Sequence, residues 1–313
     1  MSFYPVLKKD PVETFNSLTG TLILPIVSIG NVPQLSIDLL VNNIAPDVEL
    51  IGYLDNLYLV PFASPIDSVS ESKTDVKQGI STSLELYHSE SKNITILQQR
   101  SPILPGCNKL FIENLLAPFI SSSGFKKILI LESKDLGLKD DKFDGKNFQL
   151  WSNNITEKFS MLNLNNIDNT NKDIAVLKDT VEISKFSSAL INTILRDTKE
   201  FEDNLKPTPS EINLVKLLKD KYPLSLPLSG DSTSNGNNDN TPTSKEQEKL
   251  PDVLLLSTFV YEGDNFHDAE LLSDKVSLLL SLPNTQDWKK PQSWRGVYGD
   301  KPVPVGMELG IYS

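Results

Sequence analysis

An α/β layered fold, with a central sheet covered by helices on both faces, is what the sequence predicts. Three observations point there. Short apolar runs of strand length occur at Thr21–Ser28, Lys127–Leu131 and Asp252–Tyr261. Segments with helical spacing follow them rather than clustering apart. Other strand-like segments alternate apolar and polar residues with period two.

The first run, Thr21–Ser28, reads as a buried strand. Gly30-Asn31 then turns the chain into a helix with Pro33 in its first turn, where a missing N–H costs nothing. Leu35, Leu39 and Leu40 give that helix an apolar stripe able to pack on a sheet. Val48–Leu54 and Leu57–Phe62 read as the next strands, and Leu84–His88 with Ile94–Gln98 as a half-exposed pair. From about Asn108 a helix is expected, because Phe111, Leu115 and Phe119 lie at i, i+4 and i+8. The serines before Gly124 end it, and the strand Lys127–Leu131 follows.

Between Lys139 and Asp173 the chain is rich in Asn, Asp and Lys, and an elaborated, variable region is expected. Phe186–Leu195 reads as a helix, and Pro209–Lys221 as a polar one. Residues 229–249 include Gly-Asp-Ser-Thr-Ser-Asn-Gly-Asn-Asn-Asp-Asn, which buries too little apolar area to offset its ordering entropy. A disordered insertion is predicted there. Order resumes with the strand Asp252–Tyr261 and a helix over Phe266–Leu282, so residues 1–313 are expected to form a single domain interrupted by a loop, with an extended tail at 301–313.

The 313 residues are 39% hydrophobic, enough for a sizeable core, and carry a net charge of -11. Phosphate neutralisation needs clustered Lys and Arg, so no nucleic-acid partner is expected. The first apolar run is short, contains Pro25 and lacks a basic leader, and nothing approaches the ~20 apolar residues of a membrane helix. No secretory leader and no membrane partner are expected. With one cysteine, Cys107, no intramolecular disulfide is available. A reducing compartment, cytoplasmic or nuclear, is expected, and the sequons at Asn93 and Asn154 then read as chance matches.

Several residue groups suggest chemistry and also have plainer roles. Glu262-Gly263-Asp264-Asn265 with His267 and Asp268 gathers carboxylates and an imidazole at a strand-to-helix junction, where a metal site or acid–base pair is conceivable. Asp264 or Asn265 equally suits a helix N-cap, and Asp268 and Glu270 suit the positive end of a helix dipole. Ser28-Ile29-Gly30-Asn31 sits where backbone amides can cradle phosphate, yet neither the dinucleotide fingerprint nor the P-loop pattern is present. His88 and His267 lie in no triad motif, and Cys107 has no evident base. Trp288 and Trp294, beside Lys289, Lys290 and Arg295, read as a packed tail segment rather than a nucleic-acid platform. No cofactor and no enzymatic activity are expected.

Taken together, several segments resemble the proteasome assembly chaperone 2 family. They are Val27–Val32 with Gln34-Leu35 and Asp38–Leu40; Gln99-Arg100-Ser101-Pro102; Tyr261–Asn265 with Asp268-Ala269; and Trp288, Pro291, Ser293-Trp294-Arg295 and Gly299. Lys139 to about Lys249 has little of the resemblance. The resemblance implies a three-layer α/β/α sandwich similar to purine nucleoside phosphorylases, without their catalytic equipment. It implies a heterodimer with proteasome assembly chaperone 1, bound to proteasome α subunits on the outer face of the core-particle α-ring, promoting assembly and hindering premature regulator binding. Ile311-Tyr312-Ser313 fits the hydrophobic-Tyr-X pattern (HbYX motif) by which proteasome activators and some assembly chaperones dock between α subunits. Ile311 offers apolar area, Tyr312 a ring with one hydroxyl, and Ser313 a terminal carboxylate for a pocket lysine. The competing reading is a nucleoside- or phosphate-handling enzyme that uses Gly30-Asn31 as anion loop and Glu262 or Asp264 as acid–base groups.

Overall fold

The computed structural model describes residues 3–6, 18–44, 47–67, 69, 79–143, 145–154, 173–178, 183–196, 250–283, 285 and 287–294. Residues 1–194 and 251–313 belong to one compact unit; of the second unit, 195–250, only 195, 196 and 250 are described. The expected helix at Pro209–Lys221, the insertion at 229–249 and the tail at 301–313 lie outside the described residues.

In chain order the elements of the first unit are β1 (Phe3–Pro5), β2 (Thr19–Pro25), α1 (Val32–Asn43), β3 (Glu49–Leu54), β4 (Ala63–Pro65), β5 (Ile80–Thr82), β6 (Leu84–Ser89) and β7 (Ile94–Gln99). Helix α2 spans Asn108–Ser121, followed by β8 (Gly124–Asp135), β9 (Phe148–Ser152), β10 (Ile174–Val176), α3 (Lys185–Ile194), β11 (Asp252–Val260) and α4 (Phe266–Leu279). Among the described residues a nine-stranded sheet runs in the order β1-β3-β6-β7-β2-β8-β11-β9-β10, and β4 and β5 form a separate hairpin.

The middle of the sheet, β7-β2-β8-β11, is parallel; β6, β3 and β1 on one side and β9 on the other continue it antiparallel, and the outermost pair β9-β10 is again parallel. Parallel strands are covered on both faces, which is why β8 and β11 carry the unbroken runs Ile128–Leu131 and Val253–Leu256. Register assigns each side chain to a layer. Ile23, Leu129 and Leu254 stand side by side and join the core beneath α1 and α4, which includes Val32, Leu40 and Leu272. Leu22, Ile128 and Val253 occupy the alternate positions and therefore point to the other face, the side of α2 and α3. Helices α1 and α4 pack together, as do α2 and α3. The result is the expected three-layer α/β/α sandwich.

Three local departures from expectation have physical causes. Leu57–Phe62 is not a strand. Leu57 N–H donates to Asp55 Oδ1 (3.0 Å) and Leu59 N–H to Asn56 O (2.9 Å), so the chain turns there and makes one isolated bridge, Leu59 to Ile103. Helix α2 widens into a π segment over Ile112–Leu116, where Ala117 N–H reaches back to Ile112 O. Pro118 has no N–H to offer Asn114 O, which disrupts the ordinary α ladder at that turn. Strand β9 lies inside the polar region expected to be variable, because Gln149 and Ser152 interrupt its apolar residues although all five are buried.

Candidate functional site

The carboxyl ends of the parallel strands form the rim where open α/β sheets bind ligands. Two of the sequence-predicted groups meet there. After β2 the chain is tied to β8: Ser133 N–H donates to Ser28 Oγ (2.9 Å) and Ser133 Oγ to Ile29 O (2.5 Å). Gly30 (φ 64°) and Asn31 (φ 50°) then take left-handed conformations that swing the chain into α1. Against Gly30 lies the Asn265 side chain, so closely that a Cβ on Gly30 would overlap its carboxamide. The place a phosphate would take over Gly30 is filled by this chain's own amide.

Asn265 is 2% exposed and fully engaged. Its Oδ1 accepts from Gly263 N–H (3.0 Å), and its Nδ2 donates to Tyr261 O (2.7 Å) and Asp268 Oδ2 (2.8 Å). Asn265 stands at the N-cap position of α4 without capping it; Asp264 Oδ1 instead accepts from Phe266 N–H at 3.3 Å. Asp268 is thus spent on orienting Asn265, while Glu262, Asp264 and His267 face solvent. His267 approaches Glu270 at 3.5 Å, and Glu270 also pairs with Lys290 at 3.0 Å. The carboxylates and imidazole that the sequence gathers at this junction disperse, and among the described residues no cluster of three or more His, Cys, Asp or Glu could hold a metal. His88 sits apart, its Nδ1 3.0 Å from Thr95 Oγ1, and Cys107 precedes α2, where its carbonyl accepts from Phe111 N–H.

A second constellation joins α1 to β6 and β7, and no local sequence pattern marks it as a unit. Arg100 Nη1 meets Asp38 Oδ1 at 2.5 Å and its Nε meets Glu85 Oε2 at 2.9 Å. Glu85 is fully buried, and its second oxygen accepts from Thr82 N–H (3.2 Å). Gln98 Nε2 donates both to Asp38 Oδ1 (3.0 Å) and to Gln34 O (3.0 Å), and Gln34 Nε2 donates to Pro25 O (3.2 Å). Burial pushes the Asp38 carboxyl above its ordinary value, and Arg100 offsets this only in part. For Arg100, burial works to lower the pKa, but the charges of Asp38 and Glu85 outweigh it and hold the guanidinium protonated. Burial and then the Glu85 charge raise Tyr87, which stays a neutral hydroxyl donating to Glu85 Oε2 (3.0 Å). Gln34 and Asp38, one turn apart on α1, come together with the distant Arg100 as one framework.

Behind β8 lies a third buried carboxylate. Glu132 accepts from Ser184 Oγ (2.7 Å), Ser187 Oγ (2.5 Å) and Ser257 Oγ (2.9 Å), with Lys134 Nζ 3.5 Å away. These contacts fasten the start of α3 to the sheet, since Ser184 Oγ also accepts from Ser187 N–H at 3.2 Å. The signal for both carboxylates was an acidic residue inside an otherwise apolar strand. The serines that hold Glu132 come from distant segments, whereas Glu85 is held by its neighbours Thr82 and Tyr87 and by Arg100 just beyond β7.

The tryptophan segment is packed, as its composition suggested. Trp294 is buried and stacks on Phe266, ring centroids 4.4 Å apart at 6°. Ile311, Tyr312 and Ser313, the predicted docking residues, lie outside the described residues, as does Arg295.

The model of the PAC2 family matches residues 22–213. The protein named Proteasome assembly chaperone 2 in Saccharomyces cerevisiae is 26% identical over 295 residues, which cover 89% of this chain and 94% of that protein. Its namesake in Bos taurus is 28% identical over 302 residues, 91% of this chain and 94% of the relative. Among solved structures, Pyrococcus furiosus PbaA, described as an archaeal homolog of proteasome-assembly chaperone, superposes with a TM-score of 0.52 at 13% identity, over 91% of this chain and 88% of that one. The last comparison speaks to the fold alone.

Proposed function

Since the chain belongs to the PAC2 family, we propose that it is a proteasome assembly chaperone, a protein that acts by binding rather than by turnover. The observation that carries this reading is the full-length similarity to proteins named Proteasome assembly chaperone 2 from yeast to cattle. Two further features support it. Asn265 fills the space over Gly30 that an anion site would need, and the carboxylates of the rim are either exposed or bonded to Asn265. The deeper charged groups, Glu85 and Glu132, are saturated by structural partners. No observation favours the nucleoside- or phosphate-handling alternative.

In this proposal the chain pairs with proteasome assembly chaperone 1 in the cytoplasm or nucleus, and the pair sits on the outer face of the core-particle α-ring. Ile311, Tyr312 and Ser313 make the contact between α subunits. Burying a side chain such as Ile or Tyr stabilises by about 1.5–3 kcal/mol, or roughly 10- to 100-fold in affinity. Deleting Ile311–Ser313 is therefore expected to weaken α-ring binding at least ~10-fold while the truncated chain still co-purifies with its partner. Unchanged capture of α subunits by the truncated pair would sink the tail mechanism. Failure of the tagged full chain to bring down any proteasome subunit would sink the chaperone reading itself.

A further inference from the structure

Exposed apolar side chains are ordinary when scattered and informative when they gather. Among the described residues eleven large apolar or aromatic side chains stand exposed, and five of them, Leu57, Val60, Phe62, Ile80 and Leu110, come from segments that meet at one corner of the carboxyl rim. Topology sets that corner. Strands β3 and β7 both run antiparallel to β6, so Leu54 and Gln99 end at the same edge of the sheet, and the segments that follow them leave it side by side.

These segments are bonded to one another. Val60 N–H donates to Pro102 O (3.0 Å) and Leu104 N–H to Tyr58 O (2.8 Å), with the Leu59–Ile103 bridge between them. Ser83 Oγ (3.0 Å) and Ser101 Oγ (2.6 Å) both donate to Val60 O. Asn114, four residues beyond Leu110 on α2, donates to the Tyr58 hydroxyl (3.1 Å) and brings the helix to the loop. Beyond Phe62 the β4–β5 hairpin pairs Pro65 with Ile80, whose carbonyl accepts from the Tyr53 hydroxyl of β3 (2.9 Å). Pro61, Pro65, Pro102 and Pro105 stiffen the framework further. A surface ordered before its partner arrives loses little entropy on binding.

Charge tells what covers this platform. Across 56–66 and 101–110 Lys109 is the only charged residue, in a chain that is 23% charged with a net charge of -11. Lys109 itself pairs with Glu113 on α2 at 3.8 Å. Apolar and aromatic side chains left outside with charge removed are the composition of a permanent protein–protein interface, whereas short-lived contacts keep the polarity of ordinary surface. Two copies of this acidic chain would repel each other, which favours an unlike subunit over a second copy. We propose that the platform of Leu57, Val60, Phe62, Ile80 and Leu110 is the pairing surface of the chain, and that its occupant is a different folded protein presenting an equally uncharged, apolar face. The inference rests on the pairing reading above, in which that protein is the partner chaperone.

Leu57 is 67% exposed and Ile80 60%, so both stand clear of the core. Leu57→Glu and Ile80→Glu in the full chain should keep its thermal unfolding unchanged, and each should weaken binding of the partner chaperone at least ~10-fold by placing a carboxylate in an uncharged interface. Leu278→Glu puts the same charge on an exposed leucine near the far end of α4 and should leave pairing unchanged. In the wild-type chain, amide hydrogen exchange across 56–66 and 101–110 should slow when the partner is added, a readout that requires no variant to fold. Wild-type affinity in the Leu57→Glu/Ile80→Glu double variant, or exchange indifferent to the partner, overturns the platform. Dimerisation of the isolated chain that the double variant abolishes overturns the choice of occupant in favour of a second copy; loss of α-ring capture with pairing intact overturns it in favour of the ring. A wild-type chain that does not bind the partner at all brings down the pairing reading and the platform together, whereas wild type and variants that pair equally well leave the reading standing and the platform wrong.

Discussion

On the side of α1 that faces β6 and β7, Asp38 shares Arg100 with the fully buried Glu85, and Gln98 and Tyr87 complete their hydrogen bonds. On the side that faces α4, the contacts are small and neutral: Ser36 Oγ lies 3.0 Å from Ser273 Oγ, and Gly30 abuts Asn265. Two carboxylates around one guanidinium leave no spare partner, so each member of the charged side is indispensable once buried. The neutral side trades electrostatics for closeness, because Ser and Gly let helix and loop approach without large side chains between them. The charged side should therefore respond to loss of a partner, and the neutral side to added volume.

The largest effect is expected at Arg100. Arg100→Ala strands Asp38 and Glu85 without their cation and should destabilise the fold by about 3–5 kcal/mol in denaturant melts. A loss below about 1 kcal/mol would mean that water reaches these carboxylates, and the contrast between the two sides of α1 would dissolve. Next comes Gly30→Ala, which combines a left-handed backbone costing about 1–2 kcal/mol with overlap of the Asn265 amide. Adding Asn265→Gly should recover the overlap component and leave the backbone component, so a double-mutant cycle reads the coupling directly. Additive losses would show that the two residues do not press on each other.

The smallest effect belongs to the serine pair. Ser273 Oγ also bonds Ala269 O at 2.7 Å within its own helix, so Ser36→Ala with Ser273→Ala removes both partners together and should cost less than about 1 kcal/mol. Replacing Ser273 by Leu should cost about 1–3 kcal/mol, by forcing α1 and α4 apart. If the larger residue is tolerated, the helices are not held by closeness.

Much of the fold was legible. Strands β2, β8 and β11 announced themselves as apolar runs, and α2 as a stripe of Phe111, Leu115 and Phe119, because burial on two faces or on one helical face leaves a local pattern. Leu57–Phe62 misled because apolar residues alone do not make a strand; Asp55 and Asn56 turn the chain first. Strand β9 was missed because Gln149 is buried against Lys134 (2.8 Å), a pairing the neighbouring sequence does not reveal. At the rim, Gly30 and Asn265 each stood out, one as an anion loop and the other as a cap. Their actual relation, the Asn265 amide lying against Gly30 and bonded to Gly263, Tyr261 and Asp268 instead of capping α4, required both in one place.

The sequence by itself determined the α/β class, the order of its principal elements, the turn at Gly30-Asn31 and the kinship of the chain, since each depends on local pattern or on residues read one at a time. The meeting of Asp38 with Arg100, of Gly30 with Asn265 and of Trp294 with Phe266 was decided only by the tertiary structure. Asp38 and Arg100 are 62 positions apart, and such contacts depend on strand order and register. Those are set by how the whole core packs, so no short window of sequence contains them.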